Sequence, residues 1–251
     1  MNSRNVAILS LAGVALAFGI TLAQREYKSG IVFPEPKVIT PGDKPGGAPS
    51  DATVLFDGKD LSKFENGDQW EIKDGYALSR KSDITTKESF GDVQIHLEFA
   101  TPEKVVGSGQ GRGNSGIYIM GHYEVQILDS YDNKTYFDGQ CGSLYKQQPP
   151  MVNACRKPGE WQTYDILFEA PKFADDGKVV KPAICTVLQN GVCVQNHTEL
   201  IGGTYYDQPA KYVKHAAKLP FRLQNHGNPV KFRNIWVREI AALVGTAPEK
   251  K

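Results

Sequence analysis

The chain has 251 residues, 40% of them hydrophobic and 23% charged, and its formal net charge is +1. This length suits one domain of roughly 200 residues with additional segments, and it allows a substantial core. A charge so close to zero provides no basic field for holding nucleic acid or an anionic membrane surface. We therefore expect neither of these as a partner.

Residues 1–23 have the composition of a secretory signal. Arg4 supplies the positive end, Val6–Ala23 is almost wholly apolar, and Thr21-Leu22-Ala23 offers small residues for cleavage. An uncleaved membrane anchor is the alternative, because the apolar run approaches the ~18 residues that can span a bilayer. We expect an exported protein that is periplasmic, extracellular or at the cell surface, with a membrane tether only if the leader is retained.

Three further segments follow the leader. Residues 24–52 are rich in Pro and Gly without hydrophobic periodicity, which predicts an extended linker. The folded domain is predicted over residues 53–240 and a C-terminal tail over residues 241–251.

Almost every signal within the predicted domain is that of a β-strand. Asp92–Ala100 and Trp161–Ala170 alternate apolar and polar residues, and Asn190-Gly191 is typical of a two-residue hairpin turn. No stretch keeps a helical period for more than two turns. Many short strands separated by Gly and Pro turns predict an all-β sandwich or jelly roll.

Four cysteines, an even number, permit disulfides in an exported protein. A two-residue hairpin at Asn190-Gly191 would place Cys185 opposite Asn196 and Cys193 opposite Leu188, so those two cysteines are poor partners for each other. Cys141 with Cys155 is the better candidate pair. The cysteine spacing matches no zinc motif.

The stretch Gly107–Asp129 carries the most chemistry. A loop with five glycines is followed by two predicted strands, Ser115–Met120 and Tyr123–Leu128. In the second strand Glu124 and Gln126 share one face, because side chains alternate with period two. The alternative is an exposed polar strand face without function.

Glu124 lacks a carboxylate partner on its own strand. Two residues on one face of a strand stand ~6.6–6.8 Å apart, a separation that suits paired glycosidase acids, but the second position here is the amide Gln126. Asp129 has the opposite parity and reaches the same face only through a bulge. The strand therefore predicts one candidate base beside an orienting amide.

Other candidate ligand contacts lie in loops. The glycine-rich loop carries Arg112 and Asn114 and could surround a polyhydroxyl ligand, although a plain loop is the alternative. Tyr145 lies in the long loop 131–160. His226, in a polar turn, is either a surface residue or a proton-transferring group.

Eight separated motifs resemble the 3-keto-disaccharide hydrolase domain family over about Thr53–Ile240. They are LFDGKDLSKFE, WEIKDGYAL, GRGNSGIYI, YEVQILDS, CGSLY, KPGEWQTYDI, LQNGVCV and LQNHGNPVKFRNIWVREI. The resemblance implies an all-β, concanavalin A-like jelly-roll sandwich of two antiparallel sheets. It also implies cleavage of glycosides whose sugar carries a ketone at C3. One departure is Gln189, where the resemblance leads us to expect histidine.

The resemblance also implies a set of site residues, among which our hypothesis assigns Glu124 as the base and His226 or Asp129 as the acid. Substrate binding is expected from Arg112, Asn114, Ser115, Gln126, Tyr145 and Lys146. A ketone at C3 makes the C2 proton acidic, so one base can start the cleavage and a second carboxylate is unnecessary. The sequence requires no cofactor, leaves room for a divalent cation and identifies no metal ligands.

The expected partner is a small carbohydrate or glycoside. A non-catalytic carbohydrate-binding module on the same fold is the first alternative, because a fold does not determine a function. An ordinary glycoside hydrolase is the second, and it would need Asp129 to act beside Glu124.

Overall fold

The computed structural model describes residues 27–247, so the predicted signal over residues 1–23 lies outside the described part of the chain. Residues 27–247 contain fifteen strands and three 3-10 helices, at Gly67–Gln69, Gly109–Gly111 and Phe137–Gly139. The strands are β1 (Thr53–Phe56), β2 (Phe64–Glu65), β3 (Glu71–Lys73), β4 (Tyr76–Leu78), β5 (Ile84–Thr86), β6 (Val93–Ala100), β7 (Ser115–Ile119), β8 (Tyr123–Ile127), β9 (Gln162–Glu169), β10 (Lys172–Phe173), β11 (Val179–Lys181), β12 (Ile184–Gln189), β13 (Val192–Glu199), β14 (Arg222–Leu223) and β15 (Lys231–Glu239). No helix in this range is long and apolar enough to cross a membrane.

The strands form two large antiparallel sheets, which confirms the predicted all-β sandwich. The eight-stranded sheet has the order β13-β12-β9-β6-β15-β4-β3, with β1 also paired to β15. The five-stranded sheet has the order β2-β5-β14-β7-β8, and β10 pairs with β11 separately.

Alternation along the strands builds the core between the two sheets. Val93, Ile95, Leu97 and Phe99 on β6 are all fully buried, as their spacing predicts. Val125 and Ile127 on β8 belong to the same buried cluster. The polar face of β8 is therefore the face directed away from the core.

The chain divides into two compact units. The larger is Lys37–Ala242, and the predicted domain start at residue 53 coincides with the first residue of β1. Asp51 lies just upstream of β1, and Arg238 on β15 donates to both of its carboxylate oxygens, at 3.1 and 2.8 Å. In the smaller unit, whose described residues are 27–36 and 243–247, Val32 and Thr246 exchange two backbone hydrogen bonds.

All four cysteines are free thiols. The Cys141 and Cys155 thiols are close enough to shift each other's pKa, so the predicted disulfide joins residues that are adjacent in space, and the bond itself stays a prediction. Cys193 lies opposite Leu188 as expected. Cys185 lies opposite Thr198 instead of Asn196, because register shifts interrupt the pairing of β12 and β13.

A buried histidine links three strands on the outer side of the eight-stranded sheet. His96 is 1% exposed, its Nδ1 lies 2.7 Å from Asp165 Oδ1, and its ring stacks on Trp236 at 5.3 Å. Trp236 in turn donates from Nε1 to the carbonyl of Gly46 at 2.9 Å. Although burial opposes the charged ring, hydrogen bonds to Asp165 and Glu98 raise the pKa of His96 to about 9.

We expect the free energy of unfolding to fall by on the order of 2–3 kcal/mol as the pH rises from about 6.5 to about 9. The folded protein keeps the His96 proton up to about pH 9, whereas the unfolded chain releases it near 6.5. This contribution is complete below pH 6.5 and absent above pH 9. Urea denaturation across this range should show the slope in the wild type and a flatter profile in His96→Gln; identical slopes would contradict the assignment.

Candidate active site

Three neighbouring strands of the five-stranded sheet bring polar side chains into one row. Tyr118 on β7 lies opposite Glu124 on β8, and Arg222 on β14 lies opposite Tyr118. Gly116 is the residue opposite Gln126. Because facing residues in antiparallel strands project to the same side, these side chains share the polar face of the sheet.

A cavity of about 160 Å³ opens over this row. Its lining residues are Asn114, Tyr118, Glu124, Gln126, Tyr145, Thr204, Tyr206, Gln224 and His226. Five residues singled out from the sequence therefore meet here, including Glu124 and His226. A larger hollow beside Phe64 has only exposed carboxylates, at Glu65 and Asp68.

Glu124 is held rigidly inside this cavity and is only 2% exposed. Its backbone N–H donates to Thr204 Oγ1 at 3.1 Å, and its carbonyl accepts from the N–H of Tyr145 at 3.2 Å. Burial raises the pKa of Glu124 to about 7, although the Tyr118 hydroxyl and the charge of Arg222 oppose the rise. The polar face of β8 is thus enclosed, and the alternative of an exposed strand face is excluded.

Three buried oxygens of the cavity have no hydrogen-bond partner within the protein. They are Glu124 Oε2, Gln126 Oε1 and Gln224 Oε1. A buried polar atom left without a partner destabilises the fold by ~1–3 kcal/mol, so such atoms usually meet a ligand or water. All three are acceptors, so a ligand rich in hydroxyl donors matches them.

Gly116 provides the space that the Glu124 carboxylate occupies. A Cβ atom at this position would lie 2.5 Å from Glu124 Oε1, closer than van der Waals contact allows. The backbone of Gly116 is outside the left-handed region. The glycine is therefore required because a larger side chain has no room, and not because of its backbone conformation.

Tyr118 and Arg222 support the carboxylate from the neighbouring strands. The Arg222 guanidinium lies 4.0 Å from the centre of the Tyr118 ring, and its Nη1 donates to Asp83 Oδ2 at 2.6 Å. Asp83 Oδ1 also accepts the N–H of Asn225 at 2.8 Å, which holds the turn that carries His226.

Arg112 and Asp129 lie outside this cavity and bind each other. Arg112 Nε donates to Asp129 Oδ2 at 2.6 Å, and Asp129 Oδ1 accepts the N–H of Tyr131 at 3.2 Å. The remaining Arg112 nitrogens donate to the carbonyls of Tyr131 and Asp132. Both side chains are therefore occupied within the protein, and no bulge turns Asp129 toward Glu124.

Ser115 and Lys146 also stand beside the cavity without lining it. Ser115 is fully buried and donates to the carbonyl of Gln224 at 2.6 Å, which ties β7 to β14. Lys146 Nζ lies 3.5 Å from the centre of the Tyr136 ring, and the Tyr136 and Tyr145 hydroxyls are 2.6 Å apart. Lys146 thus contacts Tyr136, and Tyr136 in turn contacts the cavity residue Tyr145.

Residues 27–247 contain no group of three or more His, Cys, Asp or Glu side chains that could hold a metal ion. The unpartnered oxygens of the cavity belong to one carboxylate and two amides. Both are types of oxygen ligand that Ca²⁺ and Mg²⁺ bind.

Sequence reasoning missed four residues of the cavity lining and their supporting arginine. Tyr118 and Gln224 share the polar faces of their strands, so alternation could have found them once the pairing of β7 with β14 was known. Thr204 and Tyr206 lie in a long connection without periodicity, and no local signal marks them.

Known proteins that resemble this chain point to carbohydrate chemistry. The family model described as a 3-keto-alpha-glucoside-1,2-lyase-like domain matches residues 51–238. A Parabacteroides distasonis protein of known structure, provisionally described as a glycosyl hydrolase, is 47% identical with a TM-score of 0.80, covering 92% of this chain and 100% of its own. Two more P. distasonis structures with that provisional description, 24% and 20% identical, share the fold with TM-scores of 0.54 and 0.55, over 75% and 76% of this chain and 99% and 94% of theirs. No curated protein matches the chain.

We expect Glu124→Gln to stabilise the protein by about 1–3 kcal/mol at pH 8. The folded carboxyl has a pKa of about 7 against an ordinary value of 4.5, so its stabilising contribution is complete below pH 4.5 and lost as the pH rises through 7. The gain in the variant should therefore shrink by pH 5. Urea denaturation at both pH values measures it, with the exposed Glu65→Gln as the matched control; an unchanged or lower stability at pH 8 would contradict the burial argument.

Proposed function

The chain belongs to the 3-keto-alpha-glucoside-1,2-lyase-like domain family, and on that premise we propose that it cleaves the glycosidic bond of 3-keto-glycosides. The family and the 47% identical relative support a glycosidase-type enzyme. The observation that carries the proposal is a single buried carboxylate, Glu124, with a raised pKa and an unpartnered oxygen in a hydroxyl-binding cavity.

The proposed reaction begins at C2 of the oxidised sugar. The C3 ketone acidifies the C2 proton, and Glu124 Oε2 accepts this proton as the C2–H electron pair forms an enolate. The enolate then collapses to a C1=C2 double bond, and the C1–O bond breaks as the leaving oxygen takes a proton. Addition of water across the double bond completes a net hydrolysis. One base, one acid and donors to the enolate oxygen are sufficient.

We assign these roles to residues that line the cavity. The pKa of Glu124, about 7, suits a base that must be ionised yet protonable near neutral pH. His226 is the acid in our proposal, because Asp129 is occupied by Arg112. Tyr118 and Tyr145 line the cavity, and we assign their hydroxyls as donors to the enolate oxygen.

The same geometry weighs against an ordinary two-acid glycosidase. Glu124 is the only carboxylate among the residues that line this cavity, and Asp129 faces another one. A non-catalytic binding module would tolerate Glu124→Gln and release no product, so the experiment below also separates that alternative.

We also propose that the protein is exported by means of residues 1–23 and acts without a resident cofactor. Assays with and without a chelator test the second point. A loss of activity that Ca²⁺ or Mg²⁺ restores would place a divalent cation in the mechanism.

We expect Glu124→Gln to lower kcat/KM for a 3-keto-glucoside by ~10²–10⁴-fold, because the amide cannot accept the C2 proton. In the wild type, kcat/KM should fall as the pH drops below about 7, where Glu124 becomes protonated. Release of the leaving group, measured from pH 5 to 9, reports both effects. Full activity in the variant would remove Glu124 from the mechanism and favour a binding module or another base.

We expect Gly116→Ala to lower kcat/KM by at least ~10-fold while the protein stays folded, because the new methyl displaces the Glu124 carboxylate. Gly111→Ala is the matched control, since Gly111 also lies outside the left-handed region and a Cβ there meets nothing within 4 Å. Circular dichroism confirms folding. Equal activity in the two variants would show that the carboxylate position does not matter.

A further inference from the structure

A second cavity, of about 210 Å³, lies next to the active-site cavity and has mostly apolar walls. We call it the valine cavity because Val105 and Val106 form its outer wall. Its lining residues are Pro102, Lys104, Val105, Val106, Arg112, Gly113, Asp129, Asn228 and Pro229. Val106 is 66% exposed, so most of an apolar side chain of this lining is in contact with solvent.

The two cavities share a wall. Arg112 and Gly113 line the valine cavity, and the next residue, Asn114, lines the active site. Asn228 belongs to the valine cavity, and His226 of the same turn belongs to the active site. The N–H of Asn114 donates to Asn228 Oδ1 at 2.6 Å, so one hydrogen bond ties the two segments that separate the cavities.

The sizes of the cavities indicate how a glycoside would be divided between them. Sites that bury a ligand of drug size measure ~300–1,000 Å³. The active-site cavity, at about 160 Å³, has room for one sugar ring but not for a glycoside of two rings. The combined volume of the two cavities reaches the lower part of that range, so the substituent at C1 fits in the valine cavity.

The walls of the valine cavity determine the chemistry that it accepts. The active-site cavity presents unpartnered acceptor oxygens, which suit sugar hydroxyls. The valine cavity presents two valines and two prolines, and its ion pair, Arg112 with Asp129, is already bonded internally. Of its other polar groups, Asn228 Oδ1 already accepts the N–H of Asn114, and Lys104 is exposed to solvent. A second sugar would find few partners for its hydroxyls against such walls, whereas an apolar ring would bury them favourably.

We propose that the valine cavity binds the leaving group of the substrate and selects glycosides with an apolar, aromatic leaving group over disaccharides. This inference rests on the proposed function, because it places the oxidised sugar over Glu124. Val106 is then a specificity-determining residue that contacts the leaving group and has no part in proton transfer.

The test compares two substrates that share the 3-keto-glucosyl unit. One carries 4-nitrophenol as its leaving group, and the other is 3-keto-trehalose, whose leaving group is glucose. The measured quantity is kcat/KM for the aryl glycoside divided by kcat/KM for the disaccharide. Val106→Ser should lower this ratio by about 10-fold relative to the wild type, because it removes apolar contact with the aryl leaving group. Intrinsic differences between the leaving groups cancel in this comparison.

Val180→Ser is the matched control, because Val180 on β11 has the same 66% exposure and lies outside both cavities. It should leave the ratio unchanged. Tyr206→Ser tests the rival location, since Tyr206 lines the active-site cavity and is 80% exposed. An unchanged ratio in Val106→Ser, or a fall confined to Tyr206→Ser, would overturn the proposal.

A direct measurement separates this inference from the proposed function. If neither substrate reacts, the proposed function fails, and binding of 4-nitrophenyl glucoside by equilibrium dialysis still tests the valine cavity. Weaker binding in Val106→Ser than in Val180→Ser supports the apolar site, and equal binding contradicts it. If both substrates react and the ratio stays constant in Val106→Ser, the inference alone fails.

Discussion

The burial of one carboxylate is the constraint on which the rest of the site depends. An ionised Glu124 inside the sheet is destabilising unless surrounding groups compensate, and only the Tyr118 hydroxyl and the more distant Arg222 do so in part. The backbone of Glu124 is fixed by bonds to Thr204 and Tyr145, so the strand position of the carboxylate is defined. Burial at this position is what raises the proton affinity of the carboxylate.

The two sheets differ in how their buried polar groups are partnered. The eight-stranded sheet contains the fully buried face of β6 and the buried His96, whose ring nitrogens lie beside Asp165 and Asn234. The five-stranded sheet instead contains the unpartnered oxygens of Glu124, Gln126 and Gln224. Buried oxygens without partners gather in the five-stranded sheet at the cavity, as expected where a functional site opposes the stability of the fold.

The sequence could predict features that depend on local alternation, but not those that depend on pairing between distant strands. Alternation within β8 was sufficient to place Glu124 and Gln126 on one face, and the family motifs were sufficient for the sandwich. The partnership of Tyr118 with Arg222 depends on pairing between strands about a hundred residues apart, for which one sequence holds no local signal. Asp129 was ambiguous because parity no longer applies where β8 ends, and there its carboxylate meets Arg112.

The isolation of Glu124 among neutral donors also constrains which reactions the cavity can favour. Cleavage of an unoxidised glycoside develops positive charge at C1, which a second carboxylate must stabilise or trap. Loss of the C2 proton from a keto sugar develops negative charge instead, and a second carboxylate close to it would oppose that charge. Asp129, the other carboxylate considered for catalysis, is paired with Arg112 and lines the neighbouring cavity. The arrangement therefore suits an enolate far better than an oxocarbenium ion, and this preference follows from the charges alone.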